Sequence, residues 1–152
     1  MSRVEERLAE LGLSLPAVAA PVAAYVPAVR SGNQVITSGQ LPFVNGQLDA
    51  LGKVGADVSV EDAQAAAAVC ALNAIAAVGS VVDLDDIVRI VRLGVFVASD
   101  PDFHGQPQVG NGASELIGKV FGEAGAHARA AVGVTVLPLN ACVEVELVAE
   151  VR

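Results

Sequence analysis

Two segments of this chain are apolar on both faces of any strand they could form. In Ile87 to Ala98, Val88, Ile90 and Phe96 alternate with Ile87, Val91, Leu93, Val95 and Val97, while the run from Ala130 to Val136 has Thr135 as its one polar side chain. Strands of that kind need cover above and below. The rest of the sequence offers two main helices, which suffice for one face. At 152 residues and 53% hydrophobic content the chain makes a single domain with a core large enough to stand without staples. It has no further segment to lay on the second face. The economical cover is another copy of the same subunit, so a homo-oligomer is expected.

The elements follow from capping and periodicity. Ser2-Arg3-Val4-Glu5 has capping-box spacing, and Val4, Leu8 and Leu11 recur at helical intervals, so a short amphipathic helix opens the chain. Pro16 and Pro21 make residues 14–24 an extended lead-in. Tyr25 to Arg30 and Gln34 to Ser38 flank Ser31-Gly32-Asn33 as a hairpin whose first strand, by Pro27, lies at a sheet edge. A second turn at Asn45-Gly46 leads into a polar loop over 47–57. Ser59 caps a helix to Val78, with Gly79 placed to stop it. Ile87 to Ala98 is a long strand, 102–108 a polar connector and Ala113 to Phe121 a second helix. Arg129 to Val136 and Cys142 to Val151 close the chain as a hairpin around Leu137-Pro138-Leu139-Asn140. Strands, helix, strand, helix and hairpin make an α+β fold, helices on one face of a mixed sheet, in one domain spanning 1–152.

Charge excludes several functions. Nine Lys and Arg against 17 Asp and Glu give a net charge of −8, a surface that repels polyphosphate, so no nucleic-acid partner is expected. The uncharged stretch from Ala63 to Val82 is mostly alanine and carries Gln64, Asn73 and Gly79, which suits a buried helix better than a bilayer span, and no membrane partner is expected. Charges throughout Met1 to Leu11 leave no apolar signal segment, and Cys70 and Cys142 sit in apolar surroundings without redox spacing. Reduced core thiols in a cytoplasmic protein are the expectation. His104 and His127 lack His or Cys partners at ligand spacing, so no metal site is expected.

What remains is charge inside apolar strands. Arg129 heads Ala-Ala-Val-Gly-Val, and Glu144 sits within Cys-Val-Glu-Val-Glu-Leu-Val. One reading puts Arg129 at a fraying strand end and Glu144 with Glu146 on a solvated face. The other makes Arg129 a bidentate receptor for a small carboxylate and Glu144 a desolvated carboxylate able to move a proton to or from water. If Pro138 and Leu139 form a two-residue loop, Glu144 pairs with Gly133 and Arg129 with Val148. The two charges then share a face but lie roughly 13 Å apart along the ladder, so if both acted on one small substrate they would have to come from different subunits.

The string from His127 through Arg129 and Asn140 to Glu146 closely resembles the C-terminal signature of the Rid (YjgF-type) family, once labelled endoribonuclease or translation inhibitor. Ile36-Thr-Ser-Gly-Gln-Leu-Pro42 is similar to the family's N-terminal strand motif, and Val95 to Phe103 to its strand and acidic turn before the second helix. The resemblance implies a chorismate-mutase-like subunit in a homotrimer with clefts between subunits. It further implies a cofactor-free hydrolase of enamines and imines, converting reactive 2-imino acids to 2-keto acids and ammonia. A carboxylate-binding regulatory trimer without turnover is the alternative, and a translation inhibitor or ribonuclease a third. By position, Arg129 and Glu144 take the catalytic roles. Tyr25, Ser38 and Gly39 line the substrate side, Asn111 or Ser114 stands for the cleft asparagine, and Ala131 occupies a place where many members have cysteine.

Overall fold

The computed structural model describes residues 1–21 and 23–152; Val22, inside the expected lead-in, lies outside them. Helix α1 (Arg3–Glu10) has its capping box: Ser2 Oγ accepts from the Glu5 amide at 3.1 Å and the Glu5 carboxylate accepts from the Ser2 amide at 2.8 Å. Strands β1 (Ala28–Ser31) and β2 (Gln34–Thr37) form the expected hairpin, with β1 at the edge of the sheet. Helix α2 (Val60–Gly79) starts where Ser59 Oγ accepts from the Asp62 amide, and Gly79 is its last residue rather than its stop. Its length and composition would span a bilayer, yet Ala63, Ala67, Ala71 and Ala74 are fully buried in the core. Strand β3 (Ile87–Ala98), helix α3 (Gln106–Phe121), β4 (Ala128–Val134) and β5 (Val143–Val151) complete the chain.

The sheet runs β1-β2-β5-β3-β4, mixed as expected, with β3 and β4 parallel and every other neighbour antiparallel. The closing hairpin is therefore not formed. Strand β3 separates β4 from β5, and residues 135–142 step across its end. Two features account for this. A two-residue hairpin turn needs positive φ at its first central position, which the Pro138 ring forbids; the positive φ falls instead at Leu139 (58°) and Asn140 (60°). Second, a strand returning through a helix docks parallel beside the strand it left, and α3 brings β4 to β3 in that way.

Helices α2 and α3 pack on one face, over Leu93, Val95 and Val97 of β3 and Val143, Val145 and Leu147 of β5. Helix α3 begins seven positions earlier than its sequence suggests, at Gln106 rather than Ala113. Pro107 is harmless in a first turn. Gly112 is where α3 comes closest to α2: a Cβ there would overlap the Gln64 backbone carbonyl. The thiols of Cys70 and Cys142 are buried and free, and desolvation pushes Cys70 far up and Cys142 to about 11. Beyond the end that holds Glu144, the opposite sheet face has no cover within the described residues. On it Val29 is 51% exposed and Ile36 and Val132 45% each, around Phe96 and Val148.

The α2–α3 contact predicts opposite outcomes at two glycines of one helix. Gly112→Ala should destabilise by about 1–3 kcal/mol because backbone must move. Gly118→Ala, with open space around its Cβ position, should be neutral or stabilising by up to about 1 kcal/mol. Urea titration of both variants checks this.

Candidate functional site

Arg129 stands beside Leu93, and Glu144 beside Phe96, so β3 measures their relation. Leu93 and Phe96 are three residues apart on a regular stretch of strand, and side chains alternate. Arg129 thus points to the helix side and Glu144 to the uncovered face, where the expectation had both on one face. Two strand spacings and three residues separate their backbones by about 14 Å. The expectation that one subunit does not bring them onto one small molecule stands on this different ground.

Around Arg129, α3 and β4 build a set of anchors. Nη1 donates to Asn111 Oδ1 at 2.9 Å and Ser114 Oγ at 3.1 Å, and Nη2 donates to the Pro107 carbonyl at 3.3 Å. Both residues that competed for the cleft position therefore hold the guanidinium. Three of its five hydrogens are taken, and Nε–H with one Nη2 hydrogen finds no acceptor among the described residues. Gly110 provides the clearance, since a Cβ there would sit 3.1 Å from Nη1, and Ala131 packs beside it. Sequence reasoning missed the first turns of α3, placing 102–108 in a polar connector and starting the helix at Ala113. It also passed over His127, whose Nε2 is 2.8 Å from Ser114 Oγ; its spacing of two from Arg129, which places both on one side of an extended segment, was the available signal.

Glu144 has a contrasting environment. It forms the floor of a cavity of about 200 Å³ walled by Tyr25, Pro27, Leu41, Phe43, Pro138 and Leu139 together with the end of the lead-in. Gly39 lies against the carboxylate, and a Cβ there would stand 2.8 Å from Cδ. No Lys or Arg pairs with Glu144 among the described residues, whereas Glu146 pairs with Arg92 at 3.2 Å. Burial, and then the charge of Glu146, raise the Glu144 carboxyl above its ordinary range. Tyr25, 47% exposed, forms part of the wall. Ser38 does not line it: its Oγ donates to the Val26 carbonyl at 2.6 Å, and its amide donates to Pro27, which ties the Tyr25 segment to β2. Gln40, part of the N-terminal strand motif but given no role there, is buried beside the cavity, its amide and carbonyl bridging Val145.

A family model described as YjgF/chorismate mutase-like, with an endoribonuclease label, matches residues 5–151. Protein TCP17 of Trypanosoma cruzi is 48% identical over 152 residues, covering 99% of this chain and 95% of that one. The crystal structure of Atu1372 from Agrobacterium tumefaciens, titled as of unknown function, superposes with a TM-score of 0.92 at 48% identity, covering 99% of this chain and 93% of that chain. The YjgF gene product of E. coli superposes at 0.63 with 30% identity, covering 90% and 94%.

The raised Glu144 carboxyl gives a stability prediction with a definite sign. The folded state holds this proton more tightly than the unfolded state does, so stability is full below the ordinary glutamate value of about 4.3 and is lost as pH rises through the raised one. Glu144→Gln should therefore have a higher Tm than the wild type at neutral pH, with the gap closing as pH falls toward that value. Calorimetry at fixed protein concentration checks it.

Proposed function

The chain belongs to the YjgF/chorismate mutase-like family, and from that premise we propose that it is a cofactor-free hydrolase of 2-imino acids, working in clefts between the subunits of a homotrimer. The observation that carries the reading is the Glu144 carboxylate, held in an apolar cavity without a cation and with its proton affinity raised. A carboxylate so placed is suited to take a proton from water and give it back. A receptor for a small acid needs only a guanidinium, and Glu144 would be superfluous to it.

The neighbouring subunit supplies Arg129, whose open Nε–H and Nη2–H edge matches a carboxylate in bidentate fashion. With the carboxylate pinned there, C2 of the imine faces the Glu144 cavity of the first subunit. Water attacks C2 as Glu144 accepts its proton and passes it to the imine nitrogen, giving a carbinolamine. Glu144 then takes the carbinolamine hydroxyl proton and hands it to the same nitrogen as the C–N bond breaks, and a 2-oxo acid and ammonia leave; an enamine enters after tautomerising to the imine. The uncovered apolar face around Val29, Ile36 and Val132 is the surface that further copies cover. Tyr25, Leu41, Phe43 and Leu139 give the cavity apolar walls, which favour imines with uncharged apolar side chains over acidic ones. Nucleic acid is a poor candidate ligand, because Glu144, Glu146 and Glu150 project from the same face of a chain with net charge −8.

Added to an amino-acid oxidase reaction, the protein should speed the release of 2-oxo acid and ammonia from imines. Arg129→Ala should raise KM by about 10- to 150-fold, the weight of a charge-assisted pair. Glu144→Gln should lower kcat by about 10²- to 10⁴-fold with little change in KM. Binding of 2-oxo acids with no acceleration would establish the non-catalytic receptor instead.

A further inference from the structure

The proposed reaction leaves His127 without a role, yet its hydrogen bonds converge on one. Nδ1 lies 2.6 Å from the Gly125 carbonyl, which only accepts, so Nδ1 carries the hydrogen. The neutral ring then has a single acceptor, Nε2, and it faces Ser114 Oγ at 2.8 Å. Ser114 gives its one hydrogen to Nε2, because its other neighbour, Arg129 Nη1 at 3.1 Å, is itself a donor. A carbonyl at one end and a guanidinium at the other thus dictate the direction of every hydrogen bond between them.

We propose that His127 is a positioning residue: held by Gly125 as the Nδ1–H tautomer, it turns the lone pairs of Ser114 toward Arg129 and so fixes the guanidinium edge that receives the substrate carboxylate. This rests on Arg129 being that receptor. With no acceptor at position 127, the Ser114 hydroxyl is free to rotate, and in some of its staggered positions it aims hydrogen at hydrogen. Nη1 then keeps Asn111 alone, Nη2 keeps Pro107, and the guanidinium can swing in the space that Gly110 leaves open. The loss falls on carboxylate binding and spares the proton transfer at Glu144. It appears in KM and not in kcat, because the carboxylate is held alike in ground and transition states.

Four readouts test this: the tautomer, 2-oxobutanoate binding, the split between KM and kcat, and labelling of Ser114. In nitrogen NMR spectra of the unmodified protein at about pH 8, where histidine is ordinarily neutral, His127 should be the Nδ1–H tautomer. His127→Leu should weaken 2-oxobutanoate binding and raise KM by about 3- to 10-fold, the weight of one hydrogen bond, with kcat within about twofold. His127→Gln, whose Oε1 can accept from Ser114, should return both to near wild type. Ser114→Ala should match His127→Leu, and the double variant should be no worse than either, since both cut one chain. An Nε2–H tautomer, additive losses, failure of the Gln rescue, or covalent labelling of Ser114 by a fluorophosphonate would overturn the proposal. If Arg129→Ala loses 2-oxobutanoate while His127→Leu does not, the positioning role alone falls; if Arg129→Ala binds as wild type, the receptor reading falls and this one with it.

Discussion

Strand β3 is hydrogen-bonded along both edges, parallel to β4 and antiparallel to β5, and the placement of the two charged residues follows from that. Because Leu93 and Phe96 differ by three, the partners they seat, Arg129 and Glu144, emerge on opposite faces. A closing hairpin would have put both on one face. Inserting β3 gives β5 a neighbour on each side, as its buried alternate residues Val143, Val145, Leu147 and Ala149 demand, and leaves β4 at the edge. The edge is where an arginine can reach past the helix layer without being enclosed by it.

The two halves of the site are made in opposite ways. Arg129 is surrounded by acceptors that orient a permanent cation, and its position is set by three hydrogen bonds. Glu144 has no hydrogen-bond or ion-pair partner among the described residues: apolar walls and Gly39 surround it, and its neighbour Glu146 is the one that takes Arg92. An anchored cation serves binding, whereas a carboxylate without compensation serves proton transfer and destabilises the fold when ionised. Each device would be spoiled by the surroundings of the other, which is a physical reason for building them on different faces.

Much of this was legible in the sequence where local chemistry and the fold agree. Strand β3 lies at its expected bounds because a run of β-branched residues between an acidic turn and Ser99-Asp100-Pro101 has no competing pattern. Ser2 and Ser59 cap the helices their spacing announces. Arg129 and Glu144 stood out because charge inside an apolar strand is conspicuous, and the uncovered face was foreseen from two-sided apolar strands. Illegible were features whose cause is tertiary. Gly110 and Gly112 look like breakers of α3, but one makes room for a guanidinium and the other for the α2 backbone. The β4–β5 connection resembles a turn until Pro138 is tested for the φ that a turn requires. Ser38 belongs to the expected loop, yet its hydroxyl ties down the Tyr25 segment instead of lining the cavity.

The most direct measurement of a cleft shared between subunits uses two impaired proteins, assayed at substrate concentrations well below KM, where each has lost at least about tenfold of the wild-type rate. Arg129→Ala and Glu144→Ala subunits are unfolded together in equal amounts and reassembled, with mixing verified by mass. In the proposed arrangement each cleft takes its arginine from one subunit and its glutamate from the next, so random mixing makes about one cleft in four complete. Imine hydrolysis should return to about one quarter of the wild-type rate. Verified mixed assemblies as inactive as their parents would contradict a site divided between opposite faces of neighbouring sheets.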